Sequence, residues 1–188
     1  PATARAILEE AGLAREESDD AAHVARYANS AGTAGFVLFD SPDLEVLLIE
    51  ATGADAPELL AKILERTAFY AQSQLLRTAI DVRDPEAPKA LRTLAHMVVA
   101  WDEDWSDLFL LHLASPDPIV RHDAAMALTV ATMVSQVAGP AITLLEEAHK
   151  REKFPKLRDT LFEALQLVSG VSGAPVTIAP DALEADPS

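Results

Sequence analysis

Apolar residues fall at helical spacing over residues 118–136. Val120, Ala124, Leu128 and Ala131 share one stripe, while Arg121, His122 and Asp123 lie largely off it. The same period predicts short helices over 3–14 and 19–30, then helices over 43–52, 57–80, 86–100, 104–114, 139–151 and 155–169. The segment 57–80 is long enough to kink, near Thr67. Residues 35–50 are ambiguous. In "GFVLFDSPDLEVLLIEA" the side chains of Phe36, Val37, Phe39, Val46 and Ile49 all suit strands, so a β-hairpin near 35–50 stands as the alternative to helix there.

Turn chemistry favours the helical reading. "FDSPDLEVLLIEATG" (39–53) and "LASPDPIVRHDAAMAL" (113–128) both place Ser-Pro-Asp before an apolar run, with weaker echoes at 82–98 and 153–168. Pro42, Pro85, Pro118 and Pro155 then align, 43, 33 and 37 residues apart. Proline in a first helical turn costs little, because its missing N–H would be unpaired anyway. A preceding Ser or Asp caps the free N–H groups. The residue before proline leaves the α region and ends the incoming helix. Stop, turn and restart at such intervals is the signature of a two-helix repeat.

The stretch "LASPDPIVRHDAAMAL" resembles the HEAT repeat family, including its short bilin-lyase-type variants. The pattern runs leucine, acid-proline turn, Val-Arg, Ala-Ala, leucine, and covers residues 104–136, with continuation through 137–169 and fainter echoes over 43–100. The resemblance implies an all-α fold: a short right-handed α-solenoid of about four helix pairs, as one domain over 1–170. Residues 1–35, outside the pattern, would be a divergent N-terminal cap. It also implies that Val120, Ala125 and Leu128 are core, and that Arg121 pairs with a turn acid in a neighbouring repeat. Second helices would line a concave, protein-binding side, with polar terminal units. Residues 171–188 hold Gly173, Pro175, Pro180 and Pro187 with few large apolars, which predicts a flexible tail.

Composition narrows the partners. The 188 residues are 49% hydrophobic but only 5% aromatic, so the core is built mainly of Ala, Leu and Val. The net charge of -15 disfavours nucleic acid and anionic membrane surfaces, and is compatible with a basic protein partner. Acids concentrate early: residues 1–56 carry three basic against eleven acidic side chains. Cysteine is absent, which removes disulfides and thiolate metal sites and fits a cytoplasmic protein. Residues 1–20 lack a basic-then-apolar leader pattern, and no apolar run approaches the roughly 20 residues of a membrane span.

Catalytic signatures are thin. The chain holds no Walker A loop, dinucleotide glycine fingerprint, HExxH or GxSxG. His122-Asp123 is the one provocative pair. All-α HD-type phosphohydrolases bind metal through such residues, and His96, His122, Asp123 and Asp159 would form that set in a metal-dependent hydrolase. Against it, "RHDAAMAL" reads as the solvent side of a repeat helix. His23, His112 and His149 share no ligand spacing and read as surface or half-buried residues. No cofactor is expected.

Two charged clusters remain. "WDEDWSD" (101–107) reads as a capped helix start anchored by Trp101 and Trp105, or as an aromatic-acidic binding patch. "KREKFPKLR" gathers Lys150, Arg151, Lys153, Lys156 and Arg158 around Glu152, as a charged loop or as a contact for an anion or acidic peptide. The leading expectation is a non-catalytic protein-interaction module: adaptor, scaffold or inhibitor. Its partner surface would comprise Arg92, His96, Trp101, Trp105, Arg121 and His122.

Overall fold

The structure, a computed structural model, describes residues 2–19, 23–41, 46–67 and 69–172. The chain divides into two compact units, Pro1–Ala71 and Gln72–Ser188. The repeat pattern predicts a single solenoid domain over 1–170, so this division is a difference with a physical cause.

The first unit begins with α1 (Ala2–Glu10) and continues with four strands: β1 (Ala14–Asp19), β2 (Val24–Ala28), β3 (Gly35–Ser41) and β4 (Val46–Thr52). It closes with α2 (Ala56–Arg66). The strands form an antiparallel meander in sequence order. Alternation sets its faces: Ala25 and Tyr27 of β2 and Phe36 and Leu38 of β3 are buried. They share one apolar cluster with Ile7 and Leu8 of α1 and Ile63 of α2. The β2–β3 turn is held by Asn29, whose Oδ1 accepts from the backbone N–H groups of Thr33 (2.9 Å) and Ala34 (3.2 Å). Thr33 Oγ1 donates to Asp55 Oδ2 at 2.6 Å, tying this turn to the start of α2. Gly53 sits between them at φ +98°, where a Cβ would lie 2.3 Å from the Thr33 carbonyl oxygen. Only glycine fits that approach.

This sheet overturns the all-α solenoid. The chain is mixed, with eight helices and four strands among the described residues. The helices expected over 19–30 and 43–52 are absent: β2 and β4 occupy those segments. The hairpin alternative near 35–50 is what forms, with Gly35 opposite Thr52 and Ser41 opposite Val46. The physical reason is pairing. Val, Leu, Ile and Phe side chains pack across strands on a half-buried sheet, and β4 finds β3 beside it. Pro42, used to align the repeat, lies outside the described residues. The described part of residues 1–35, the expected cap, holds α1, β1, β2 and the first residue of β3. The predicted 57–80 helix is two helices, because Thr67 turns extended (φ -127°, ψ 145°) and ends α2.

The second unit is helical: α3 (Gln72–Ile80), α4 (Ala87–Ala95), α5 (Glu103–Leu113), α6 (Pro118–Ser135), α7 (Gly139–Arg151) and α8 (Pro155–Ser172). Successive helices pair as α3/α4, α5/α6 and α7/α8. The second members form one layer, with α6 packed against both α4 and α8, and α5 of the other layer touches α3 and α7. Alanine makes this closeness possible: Ala124, Ala125, Ala131 and Ala141 are buried alongside Leu91, Phe109, Leu128 and Leu165. Ala125 and Leu128 are core as expected, while Val120 is only half-buried. Of the aligned prolines, Pro118 and Pro155 open α6 and α8, and Asp117 Oδ1 accepts from the Ile119 N–H at 2.8 Å; Pro85 instead lies in the turn before α4, whose first turn holds Pro88. His112 differs from expectation. It is fully buried, and its Nε2 donates to the Ala79 carbonyl at 2.7 Å, joining α5 to the end of α3. Of the predicted tail 171–188, residues 171 and 172 continue α8, and 173–188 lie outside the described residues.

Candidate functional site

Helix α6 is the centre of the α4–α6–α8 layer, and its composition leaves it with two unlike sides. Ala124, Ala125, Ala127, Leu128, Ala131 and Thr132 are buried. The hydroxyls of Thr129 and Thr132 bond back to the carbonyls of Ala125 and Leu128, so neither hydroxyl is stranded. On the remaining side, Ile119, Met126 and Met133 are 70%, 42% and 47% exposed. With His122 they are spaced three, four and seven residues apart, a helical stripe. Two of the three methionines in the chain thus stand in solvent on one stripe. Methionine is flexible and polarizable, and suits an adaptable binding surface when it is not filling a core. On the neighbouring helix α4, Arg92 is half-buried, as is His96 four residues on at its C-terminal cap. Burial, and then the Arg92 charge, hold the His96 imidazole below its ordinary pKa.

Four of the sequence-predicted binding residues therefore sit in this layer, but not with one role. Arg92, His96 and His122 remain at its surface. Arg121 does not: its guanidinium is committed. Nε and Nη2 donate to Glu152 at 2.8 and 3.0 Å, and Nη1 donates to the carbonyls of Ser115 and Pro116 at 2.8 and 3.0 Å. The pair is nearly sealed, with side-chain exposures of 15% for Arg121 and 3% for Glu152. Glu152 Oε1 also accepts from the N–H groups of Lys153 and Phe154. The Arg121 bond, more than any other contact, holds the Glu152 carboxyl below its ordinary pKa. This fork-on-carboxylate pairing clamps the α5–α6 turn to the α7–α8 turn. A turn acid one helix pair onward is what the HEAT resemblance implied for this arginine, although it did not single out Glu152.

The tryptophans are structural as well. Trp105 is buried, and its backbone N–H donates to Asp102 Oδ1, the cap of α5. Trp101 stacks on Phe109 at 5.7 Å between centroids, and its Nε1 donates to Ser106 Oγ. Glu103 and Asp104 occupy the first turn of α5, where the helix dipole favours them.

The basic island adds a second surface. A groove of about 290 Å³ opens between α5, α7 and the α7–α8 turn. Its apolar walls are Leu110, Leu113, Leu144 and Leu161, and Phe154, Arg151 and Lys153 stand along it. Phe154 is 56% exposed and lies under the Arg121 guanidinium, 5.8 Å from ring centroid to Cζ. Arg151 pairs with Glu147 one turn back on α7. Arg121, Arg151 and Lys153 thus converge here, whereas Lys150, Lys156 and Arg158 do not line the groove. The basic residues are grouped in sequence, but the hollow has no sequence signal, because its leucines come from three different helices.

The proposed metal set is not assembled. His122 lies beside Asp123, Nδ1 to Oδ1 3.4 Å. Among the described residues, no group of three or more His, Cys, Asp or Glu side chains is placed to hold a metal ion. Nor is any described helix long and apolar enough to cross a membrane. Compared with known proteins, the chain matches no family model, no curated protein and no solved structure.

Proposed function

We propose that the protein is a non-catalytic interaction module that engages a partner protein on the α4–α6–α8 layer. The observation that carries this reading is the exposed stripe Ile119, His122, Met126 and Met133 on the central helix. An apolar strip on a helix flanked by two packed neighbours is a surface with a use, since isolated exposed apolars are ordinary but aligned ones are not. Arg92 and His96 would supply polar contacts at its edge. The stacking of helix pairs and the turn-to-turn clamp Arg121–Glu152 support a HEAT-like reading of residues 104–169. The net charge of -15 favours a basic partner.

The test compares wild type with Met126→Glu/Met133→Glu as baits in the native-source lysate, both checked by circular dichroism. Arg121 is kept, because replacing it would strand Glu152 and confuse folding with binding. A partner held by wild type and lost by the variant is the expected result. Equal capture by both baits refutes this face as the binding surface.

A further inference from the structure

The groove beside the α7–α8 turn carries its own assignment, independent of the α6 stripe. We infer that it is a docking site for an acidic, amphipathic peptide segment of a partner protein, in which a large apolar side chain enters the groove and a carboxylate meets Lys153. Size argues first. About 290 Å³ lies at the bottom of the roughly 300–1,000 Å³ range of small-molecule pockets. It accommodates anchor side chains of a peptide better than a cofactor. The lining argues second: Leu110 and Phe154 stand exposed in it where a folded protein ordinarily hides such groups, beside half-buried Leu144 and over the buried Leu113 and Leu161. Aromatic anchors of this kind concentrate binding energy at interfaces.

Charge selects the occupant. The two carboxylates of the lining, Glu147 and Glu152, are already engaged by Arg151 and Arg121. Lys153 is exposed, and no ion pair holds its ammonium among the described residues. It stands in the island "KREKFPKLR", which has five bases and one acid. The chain as a whole is strongly acidic, but screening over about 8 Å at physiological salt leaves the local sign to decide. A nucleic acid is disfavoured, because one free ammonium among leucines does not track a phosphate backbone.

The experiment is a selection of random 12-residue peptides displayed on phage against the full-length protein. The recovered family is then titrated against wild type, Phe154→Ala, Lys153→Glu and Met126→Glu/Met133→Glu. The expected family combines a Leu, Phe or Trp anchor with Asp or Glu nearby. Its affinity falls about thirtyfold with Phe154→Ala and about tenfold with Lys153→Glu, and is unchanged in the α6 variant. A family that is basic, or that binds Phe154→Ala and Lys153→Glu as well as wild type, overturns the inference. So does recovery of no family. A family lost only in the α6 variant also overturns it, while supporting the α6 face. One further arm tests the protein's own acidic residues Asp181, Glu184 and Asp186. If changing them to Asn, Gln and Asn in the full chain strengthens peptide binding about tenfold or more, the occupant is the chain itself and the partner assignment fails.

Discussion

The tripeptide Ser-Pro-Asp occurs at 41–43 and again at 115–117. After the second, α6 runs for 18 residues; after the first, β4 begins at Val46. The tripeptide itself does not decide between helix and strand. The residues downstream of it decide, together with the elements packed alongside. The second copy continues Pro-Ile-Val-Arg-His-Asp-Ala-Ala, so that six residues after the serine Arg121 turns back to bond the Ser115 and Pro116 carbonyls. The first copy has Leu47 at that position, packed against the core of the sheet opposite Asp40 of β3. The second copy is thus tied to the next helix pair by a charged clamp, whereas the residues on either side of the first, Ser41 and Val46, pair as strands. A turn signal is local, whereas the element it introduces is chosen by its neighbours.

Breaking the clamp should give the largest effect. Arg121→Ala leaves Glu152 buried and unpaired and should cost about 3–5 kcal/mol, read from urea unfolding; a loss near zero would mean the clamp does not hold the turn. Leu128→Ala, in the same helix but in its apolar core, should cost about 2–5 kcal/mol. Its increase in hydrogen exchange should concentrate in Gln72–Ser188 rather than Pro1–Ala71, since each unit has its own apolar cluster. On the sheet side, Gly53→Ala forces a Cβ against the Thr33 carbonyl at positive φ and should cost more than about 1 kcal/mol. A neutral result there would show that the β2–β3 turn yields. Asp117→Ala removes the α6 cap and should cost about 1 kcal/mol, a test of how much the Ser-Pro-Asp prefix itself contributes.

The gentlest perturbation is pH, and it acts on the helical unit. Burial holds the His112 imidazole below its ordinary 6.5, against the opposing pull of its bond to the Ala79 carbonyl. The unfolded chain therefore binds a proton near pH 6.5 that the folded chain refuses. Stability is full above that pH and falls as pH drops toward the folded value. Glu152 has the same sign at lower pH, since its carboxyl is held below 4.5. Its contribution is present above 4.5 and is lost as pH falls through the folded value. Urea midpoints should decline between about pH 7 and pH 5.5, and His112→Gln should flatten that first decline. An unchanged slope in the variant would assign it to another group.

Much of the helical unit was legible from residues alone. Proline at a helix start, a capping Asp and an alanine-leucine stripe are determined within a few residues, and α5 to α8 lie where that chemistry put them. Arg121 was legible as a residue that pairs, but not as one unavailable to a partner, because its partner stands 31 residues away across a helix pair. Trp101 and Trp105 could be read as anchors or as a binding patch; Trp105 is buried, and half-buried Trp101 stacks on Phe109, which favours anchors.

The sequence by itself determined the local grammar: where α4 to α8 start, which of their faces is apolar, and how charge is distributed. Tertiary structure alone decided the sheet, since a strand's hydrogen bonds belong to its neighbour and β4 is a strand because β3 lies beside it. It alone also decided which apolar residues stay exposed. Met126 and Leu128 are two residues apart on one helix. Only the packing of α4, α5 and α8 around α6 puts one in solvent and the other in the core.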